Sequence, residues 1–477
     1  MTDLLPAGGR VHLIAICGVG MGSLAGLLKS KGYQVTGSDE SIYPPMSATL
    51  AELGIPVLPG YREEHLSERP DLVVVGNAVS RANPEVEAVL RLGIPYLSFP
   101  QALGEFLIGS RRSIVVTGTH GKTTTSALMS WVLVKAGWNP SFFVGGIPFN
   151  LGAGFRYGKG DWVVLEGDEY DSAFFDKGPK FLHYRPERVI LTSVEFDHAD
   201  IYRDLDHLKE AFRRLIEIIP PSGSLVACSD YEAVEELAGK ARCPVVFYGD
   251  RAPKDWEVAN PRVRDGRSLF EPVYKGKSEG TVETPMIGRH NLKNALAVYA
   301  LARELGVERR SLEEAIATFA GVKRRQEVKG EARGITVIDD FAHHPTAIRE
   351  TIDAVRFAYP GRRIWAVFEP RSNTSRRRIF QREFPAALAR ADRVVVAGLY
   401  RPDKVPEEER LSPEEVVKEV NRLSGEKRAA WIEQNLDIPA YVAQEAEPGD
   451  VILVMSNGGF DDVQDKILER LKGFTGD

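Results

Sequence analysis

The chain has 477 residues, of which 43% are apolar and 27% charged, with a formal net charge of -6 at pH 7. This length predicts about three domains, each large enough to bury its own core. The acidic balance gives no broad basic surface, so it excludes nucleic acid as a main partner and favours a small-molecule substrate.

Cysteine usage indicates a reducing compartment. The three cysteines lack the paired spacing of a zinc site. The N-terminal stretch MTDLLPAGGR lacks the basic start and apolar run of a signal peptide, and apolar runs elsewhere are too short to span a bilayer. The sequence therefore predicts a cytoplasmic protein without a membrane partner, either a monomer or a weak homo-oligomer.

Short runs rich in valine and isoleucine recur along the chain, each stopped by Gly, Asp or Asn and followed by a helical pattern. Examples are VHLIAICGVG, DLVVVGNA, SIVVTGTHG, DWVVLEGDE, RVILTSVEFD and GITVIDDFA. Such an alternation is typical of parallel sheets covered by helices on both faces, so the predicted fold class is α/β. The pattern resets near residue 110 and again in GVKRRQEVKGEARG, which predicts domains at 1–110, 111–325 and 326–477. Residues 250–285 have a less regular pattern that predicts hairpins.

The first strand leads into ICGVGMGSLAGLL, an incomplete dinucleotide-binding motif. Gly18 and Gly20 fit the motif, but Gly22 lies one position early and Ser23 occupies the place of the third glycine. Asp39 ends the next strand. The pattern predicts a diphosphate at a helix N-terminus and leaves NAD and a UDP-sugar both open.

The stretch VVTGTHGKTTTSALM lacks the first glycine of the usual phosphate-loop spelling, because Val116 occupies that place. We assign Val116 to a strand, followed by a shorter loop, GTHGKT, and a helix. Lys122 supplies a charge for the outer phosphates, and Thr123 or Thr124 supplies a hydroxyl for Mg²⁺. The predicted phosphate site comprises Gly118, Thr119, His120, Gly121, Lys122, Thr123 and Thr124.

Two acidic groups follow the next predicted strands. They are Glu166, Asp168, Glu169 and Asp171 in VVLEGDEYD, and Glu195, Asp197, His198 and Asp200 in ILTSVEFDHAD. Mg²⁺ prefers carboxylate oxygens, so the two groups beside a phosphate loop predict a metal site. For any single acid, a solvated loop charge or a helix cap is the alternative.

Further along, MIGRHNLKNALAVYALA opens a helix with His290 and Asn291, for which helix capping is the alternative to ligand binding. The stretch GVKRRQ places Arg324 and Arg325 at a domain junction, where an arginine reaches a transferring phosphoryl group, unless the stretch is simply a solvated linker.

The last block offers VIDDFAHHPTAI and FEPRSNTSRRR at strand ends. A metal role for His343 and His344 is disfavoured because adjacent histidines point in different directions, so one of them is expected to cap or pack. Arg371 suits a carboxylate, since its guanidinium fork lies at a strand end. The RRR run is expected to be a solvated helix face.

Taken together, GTHGKTTT, EGDEYDSAFFD, EFDHADIY, GRHNLKNALA, KRRQE, DDFAHHPTAI and SNGGF resemble the Mur ligase family over nearly the whole chain. The resemblance implies a Rossmann-like N-terminal domain for a UDP-sugar, a central P-loop ATPase domain and a Rossmann-like C-terminal domain for the amino substrate. It implies a peptidoglycan-recycling ligase that uses ATP and Mg²⁺ to join UDP-N-acetylmuramate to L-alanyl-γ-D-glutamyl-meso-diaminopimelate through an acyl phosphate. Coupling to free L-alanine, a step of peptidoglycan biosynthesis, is the alternative.

The resemblance also implies residue roles. The implied catalytic residues are Lys122, His198, Arg325 and His343. The implied metal ligands are Thr123, Glu166 and His198. Outside the phosphate loop, the nucleotide is expected to contact His290, Asn291, Arg325 and Asp340. The other substrates are expected to contact Gly18, Gly20, Gly22, Asp39, Asn77, Arg371 and Asn373.

The sequence departs from the family pattern at EGDEYD, where alanine is commonly second, and at KRRQE, where Gln326 replaces an apolar residue. Lys209 is the only nearby candidate for a carbamylated lysine, but its register is poor and we do not predict the modification. Two other classes compete with the ligase. An NAD-dependent dehydrogenase would use Asp39 but leaves Lys122 unexplained, and a nucleotide-switched binding protein would hydrolyse nucleotide slowly whatever the amine.

Overall fold

The computed structural model describes residues 5–43 and 46–473. The first four residues belong to the stretch on which the absence of a signal peptide was predicted, and they lie outside these ranges. The chain forms two compact units. The first contains the described residues up to Glu195 with Leu205–Trp256 and Ala297–Ala315. The second contains Phe196–Asp204, Glu257–Leu296 and the described residues from Ile316 onwards.

The first unit begins with a parallel sheet of five strands. Its elements are β1 (Arg10–Ile14), α1 (Val19–Ser30), β2 (Gln34–Asp39), α2 (Met46–Glu52), β3 (Val57–Pro59), β4 (Leu72–Val75), α3 (Pro84–Leu92), β5 (Tyr96–Ser98) and α4 (Phe99–Leu103). The strand order is β3-β2-β1-β4-β5. β2 and β3 lie on one side of β1, whereas β4 and β5 lie on the other, so the strand order reverses between β1 and β4. The carboxyl ends of these two strands therefore border a crevice.

A larger sheet follows in the same unit. Its elements are β6 (Arg112–Thr117), α5 (Lys122–Lys135), β7 (Ser141–Phe143), β8 (Phe155–Arg156), β9 (Trp162–Gly167), β10 (Asp171–Ala173), β11 (Asp176–Pro179), β12 (Pro186–Leu191), α6 (Leu205–Glu217), β13 (Ser224–Cys228), α7 (Glu232–Ala238) and β14 (Val245–Tyr248). From β14 onwards the order of this sheet is β14-β13-β12-β6-β9-β7-β8, while β10 and β11 form a separate hairpin. β6 therefore lies between β12 and β9, at the switch point of this sheet.

Hairpins and two helices come next. They are β15 (Trp256–Arg264), β16 (Arg267–Tyr274), β17 (Lys277–Ser278), β18 (Val282–Thr284), α8 (Arg289–Glu304) and α9 (Arg309–Thr318). β16 pairs antiparallel with both β17 and β18. The hairpins predicted for residues 250–285 are confirmed.

The last sheet belongs to the second unit. Its elements are β19 (Glu327–Ala332), β20 (Ile335–Asp340), α10 (Pro345–Ala358), β21 (Ile364–Phe368), α11 (Glu383–Leu388), β22 (Arg393–Ala397), α12 (Pro413–Ser424), β23 (Ala429–Ile432), α13 (Ile438–Glu445), β24 (Val451–Met455) and α14 (Val463–Gly473). The order is β19-β20-β24-β21-β22-β23, and only β19 runs antiparallel to its neighbour.

The strands of the last sheet are apolar throughout because helices cover both of its faces. Ile338 and Phe368 lie in a buried cluster with side chains of α10, α11 and α12, whereas Val337 and Val367 lie in another cluster with side chains of α13 and α14. Each such burial contributes about 1.5–3 kcal/mol, so helices on both faces stabilise both sets of side chains. The α/β fold class is confirmed. Within 5–43 and 46–473, no helix is both long and apolar enough to cross a bilayer.

Candidate functional site

The phosphate-loop motif forms the turn between β6 and α5. Gly118 and Gly121 have φ values of +129° and +79°. A Cβ on Gly118 would overlap Thr192 Oγ1 and lie 2.7 Å from the backbone N of Ser193, so this position excludes any side chain. α5 starts at Lys122 without a side-chain cap, which leaves the first N–H groups of the helix available to an anion. The predicted strand, turn and helix of the motif are confirmed.

The chain after β12 holds the loop in shape. The backbone N–H of Thr119 donates to Ser193 O at 3.0 Å, and that of His120 donates to Ser193 Oγ at 2.9 Å. The Thr119 hydroxyl donates to Glu195 O at 3.0 Å, and His120 Nε2 lies 2.9 Å from Glu195 Oε2. In this structure Thr119 and His120 therefore shape the loop rather than point into it.

Lys122 is buried and already has a counter-ion. Its Nζ donates to Gly118 O at 2.6 Å and lies 3.1 Å from Glu169 Oε2, which is also buried. Burial lowers the pKa of Lys122, but the charge of Glu169 and that of its acidic neighbours outweigh burial, so the pKa is raised overall. The ammonium is therefore positively charged at pH 7 and stays within the loop.

Glu166, at the end of β9, faces the first turn of α5. Its Oε1 accepts the Thr123 hydroxyl at 2.8 Å, and its Oε2 accepts the Gly145 N–H at 2.6 Å. Burial, and then the charge of Asp168, raise the pKa of Glu166. Glu166 is partly buried. Its carboxylate is poorly solvated and lies near a second negative charge, and a divalent cation would offset both effects.

A cavity of about 710 Å³ lies at the switch point of the first sheet. Its lining includes four of the predicted substrate residues, Gly18, Gly20, Asp39 and Asn77. Asp39 accepts the N–H groups of Cys17 and Ser41, both at 2.9 Å, so its carboxylate braces the turns after β1 and β2. Gly22 is not among the lining residues. A Cβ there would overlap the Met46 side chain, so Gly22 instead lets α1 and α2 pack closely.

A fully buried carboxylate, Glu85, stabilises the wall of this cavity, and sequence reasoning missed it. Glu85 accepts hydrogen bonds from Ser38 Oγ at 2.5 Å and from the Arg62 N–H at 3.2 Å, and its Oε1 lies 2.6 Å from His65 Nδ1. It therefore ties the start of α3 to β2 and to the segment before β4. Its position directly after Asn83-Pro84, a cap followed by the first helical residue, was the available signal.

In the second unit, His198 and His343 share the buried carboxylate of Asp197. The Asp197 Oδ2 lies 3.9 Å from His198 Nε2 and 3.8 Å from His343 Nε2. Burial raises the pKa of Asp197, but the charges of His198, His343 and His344, with the hydrogen bond from the His198 N–H, outweigh burial and hold this pKa well below its usual range. Burial lowers the pKa of His343, which is therefore neutral at pH 7. His344 caps α10 by accepting the Thr346 N–H, which confirms that one histidine of the pair caps.

Gln326 connects three of the predicted nucleotide residues in the second unit. Its N–H donates to Asp340 Oδ2 at 2.8 Å, and its Oε1 accepts Asn291 Nδ2 at 2.9 Å. The side-chain Nε2 of Gln326 lies 3.4 Å from His290 Nε2. The residue that departs from the family pattern thus takes part in a polar cluster, and this accounts for a polar side chain at that position.

The adjacent arginines Arg324 and Arg325 share an aromatic neighbour, and Arg324 also makes polar contacts across the last sheet. Arg324 lies 3.3 Å from Asp339 and donates to the carbonyl of Ser456 at 2.7 Å, so it links β20 to the turn after β24. Both guanidinium groups lie over the ring of Phe341, with the guanidinium carbon of Arg325 4.6 Å and that of Arg324 5.5 Å from the ring centroid. Burial raises the pKa of Asp339 to about 6, even though Arg324 opposes the shift.

Arg371 lies at the end of β21, as predicted. Its guanidinium carbon is 3.7 Å from the centroid of the Tyr400 ring, and Nη1 is 3.5 Å from the buried Glu369. A Cβ on Gly458 would overlap the Nε and Cδ of Arg371, so the SNGGF glycine provides the space that the guanidinium occupies.

Asn373, Arg376 and Arg377 make more side-chain contacts than the sequence suggested. Asn373 donates to Asp200 Oδ2 at 2.9 Å and accepts Arg376 Nη2 at 2.6 Å. Arg376 is buried and donates to the carbonyl of Tyr400, while Arg377 pairs with Glu409. The prediction of a solvated helix face is wrong for Arg376, because its guanidinium satisfies backbone carbonyls in the interior.

The predicted site residues divide between the units. The first unit contains Gly18, Gly20, Gly22, Asp39, Asn77, the loop 118–124 and Glu166. The second contains His198, His290, Asn291, Arg325, Asp340, His343, Arg371 and Asn373. The hydroxyl-carboxylate pair of Thr123 and Glu166 therefore belongs to one unit, and the third implied metal ligand belongs to the other.

A phosphate loop at one switch point and a glycine-lined cavity at another define a nucleotide-dependent α/β enzyme with a second ligand site. Family models described as "Mur ligase family, catalytic domain", "Mur ligase middle domain" and "Mur ligase, glutamate ligase domain" match residues 10–111, 116–302 and 324–458. The chain belongs to the Mur ligase family, whose members are ATP-dependent amide ligases of three domains. The three-domain architecture is confirmed, and the residue boundaries stay a prediction.

Three similar proteins cover nearly the whole chain. A UDP-N-acetylmuramate--L-alanyl-gamma-D-glutamyl-meso-2,6-diaminoheptandioate ligase from Escherichia coli K12 is 40% identical over 97% of this chain and 98% of its own length. The crystal structure of a murein peptide ligase from Psychrobacter arcticus is 36% identical, covers 98% of this chain and 100% of its own, and has a TM-score of 0.72. The UDP-N-acetylmuramate-alanine ligase from Thermotoga maritima is 26% identical, covers 97% and 99%, and has a TM-score of 0.79.

Proposed function

We propose that the chain is an ATP-dependent ligase of peptidoglycan recycling. It joins the carboxylate of UDP-N-acetylmuramate to the amine of L-alanyl-γ-D-glutamyl-meso-diaminopimelate through an acyl phosphate. One observation carries the proposal: the first unit combines a complete phosphate loop with a separate cavity of about 710 Å³ at a glycine turn, which are the two sites that ATP and a sugar nucleotide require. The 40% identity to the E. coli ligase supports the tripeptide as the amino substrate.

The nucleotide phosphates are assigned to the loop 118–124. Lys122 is charged and enclosed by the loop, so a phosphoryl oxygen that replaces Glu169 at its ammonium gains a charge-assisted hydrogen bond. His290, Asn291 and Asp340 are assigned to the adenine and ribose, and Arg325 to the phosphates. Gln326 supports these assignments because it orients the Asn291 amide and the Asp340 carboxylate.

A magnesium ion fits the pair of Thr123 and Glu166. The hydroxyl and the carboxylate offer hard oxygen ligands. Burial raises the pKa of Glu166, and a bound cation would lower this pKa by stabilising the carboxylate. His198 is assigned as a further ligand. Bound Mg²⁺ would neutralise charge on the phosphoryl oxygens during transfer.

The reaction follows in two displacements. A carboxylate oxygen of the sugar acid attacks the γ-phosphorus, and ADP leaves as the bond between the γ-phosphorus and the bridging oxygen breaks. The amine nitrogen then attacks the acyl carbon, phosphate leaves, and a proton leaves the nitrogen. Lys122 stabilises the charge that moves onto the β–γ bridge. His343 is neutral at pH 7, which suits it to accept the proton of the amine.

The experiment is a panel of amines with purified protein, ATP and UDP-N-acetylmuramate, followed by ADP release and product mass. We expect ADP release to depend on both the sugar nucleotide and the amine, with the tripeptide preferred over L-alanine. A preference for L-alanine would contradict the assignment and favour the second candidate, an alanine ligase. That candidate is supported by the TM-score of 0.79 with the T. maritima enzyme.

We also assign residues 1–110 to the sugar nucleotide, 111–325 to ATP and 326–477 to the amino substrate, in a cytoplasmic monomer or weak homo-oligomer. Limited proteolysis tests the boundaries, since cleavage is expected near residues 110 and 325 before it occurs within the sheets. Sedimentation velocity tests the oligomeric state.

A further inference from the structure

We propose that Lys180 binds the carboxylate of the sugar acid that the ligase activates. This inference rests on the proposed function, because it assigns a residue to the sugar-acid end of the same substrate. Lys180 was not among the residues predicted from sequence. Its part in the site emerges from a hairpin, an ion pair and the charge of the cavity lining.

The hairpin of β10 and β11 anchors Lys180 between the two sheets of the first unit. Phe175, in the turn of the hairpin, packs edge-on against Tyr96 of β5 with ring centroids 4.8 Å apart. Asp176 accepts the hydroxyl of Ser98, at the end of β5, at 2.7 Å. Lys180 directly follows β11. Its backbone is therefore held next to the five-stranded sheet of β1–β5, although in sequence Lys180 lies between β9 and β12 of the larger sheet.

The ammonium of Lys180 lies where the two sites approach each other. Its side chain is 14% exposed and lines the cavity of about 710 Å³. Its Nζ is 3.0 Å from Asp168 Oδ2, just past β9, and 5.9 Å from the ring centroid of Phe99. The same ring lies against Gly20, where a built Cβ would be 3.5 Å from it. Lys180 thus neighbours the glycine turn on one side and the acids beside the phosphate loop on the other.

The charge of the lining supports an anion at Lys180. Among the described residues that line this cavity, Lys180 is the only lysine or arginine, whereas Asp39 and Glu40 are acidic. A sugar nucleotide that has both a diphosphate and a carboxylate therefore meets one positive side chain. A lysine ammonium has three donor hydrogens, and the pair with Asp168 uses one.

The carboxylate suits this ammonium better than the diphosphate does. The diphosphate has donors of its own, because α1 begins after Gly18 without a side-chain cap. The carboxylate must instead reach the γ-phosphate at the phosphate loop. Asp168 lies two residues beyond Glu166, so the partner of Lys180 is on that side of the cavity. A cation there holds the carboxylate and limits its repulsion from the neighbouring acids.

The test compares two ligands that differ in the carboxylate. Titration calorimetry measures the binding of UDP-N-acetylmuramate and of UDP-N-acetylglucosamine, which lacks the lactyl carboxylate, to the wild type, Lys180→Met and Lys177→Met. Lys177 is the matched control because it lies on the same hairpin, is 68% exposed and pairs with Asp171 outside the cavity lining. Lys180→Arg tests rescue by a second cation.

We expect Lys180→Met to weaken UDP-N-acetylmuramate binding by about 10- to 100-fold, as for the loss of a charge-assisted hydrogen bond, with less than a twofold change for UDP-N-acetylglucosamine. Lys177→Met should bind both as the wild type does, and Lys180→Arg should recover part of the loss. If Lys180→Met loses affinity equally for both ligands, or for neither, the inference is overturned. The proposed function still stands in that case, provided that the wild type turns over its substrates. A wild type that fails to bind UDP-N-acetylmuramate overturns both.

Discussion

Replacing Gly458 by alanine offers a way to displace Arg371 without touching Arg371 itself. The new methyl group would overlap the Nε and Cδ of the guanidinium side chain. These atoms belong to a flexible side chain, so Arg371 moves and the backbone stays. The adjacent Gly459 is the matched control, because a Cβ there meets no atom within 4 Å and its φ of -66° suits any residue.

The magnitude follows from the contacts that Arg371 gives up. It loses the stacking on Tyr400 at 3.7 Å and the pair with Glu369 at 3.5 Å, and the stacking contributes about 0.5–1 kcal/mol at a partly exposed site. A charged hydrogen bond to the peptide carboxylate contributes about 1.5–3 kcal/mol, which corresponds to roughly a 10- to 150-fold rise in the KM for the tripeptide. The KM for ATP should not change.

Steady-state kinetics with saturating ATP and UDP-N-acetylmuramate measures the KM for the tripeptide, and urea denaturation measures stability. Gly458→Ala should raise this KM, whereas Gly459→Ala should match the wild type in both measurements. A Gly458→Ala variant whose KM for the tripeptide stays within twofold of the wild type would refute the assignment of Arg371 to the amino substrate. A rise in the KM for ATP as well would show that the substitution disturbs more than Arg371.

Three further outcomes are expected. Lys122→Met should lower turnover by about 10²–10³-fold, since Lys122 stabilises transferring charge, and turnover within threefold of the wild type would contradict its role. Gly118→Ala should destabilise the protein by about 1–3 kcal/mol more than Gly137→Ala, because both positions have positive φ but only Gly118 also meets Thr192; equal urea midpoints would contradict this. Burial raises the pKa of Asp339 to about 6, so folding favours its protonated form, and the resulting stability is present below about pH 4 and lost as pH rises through 6. Asp339→Asn should reduce the change of the urea midpoint between pH 4 and pH 7. Parallel plots of the midpoint against pH for the two proteins would show that Asp339 does not titrate in that range.

The features that local sequence determines could be predicted. The phosphate loop depends on a strand, two glycines and a helix that are contiguous, so Val116 could be placed in β6 although the usual spelling is incomplete. The switch-point cavity likewise follows from glycines directly after β1 and from the end of β4. In both places the backbone conformation requires particular residues at fixed spacing.

What could not be predicted depends on contacts between distant parts of the chain. Asp176 meets Ser98 across 78 positions, so nothing near Lys180 in sequence reveals that its hairpin lies against the first sheet. Gln326 looked like an isolated departure because its partner Asn291 lies 35 positions away. Arg376 appeared to be a surface charge, since the carbonyls that it satisfies belong to a loop beyond β22.

The pairing of Lys122 with Glu169 has a consequence for ligand choice. A nucleotide must compete with a carboxylate that belongs to the chain and is therefore present at a high local concentration. The β–γ end of a triphosphate brings several negative charges at once, which favours the exchange over a ligand with a single charge.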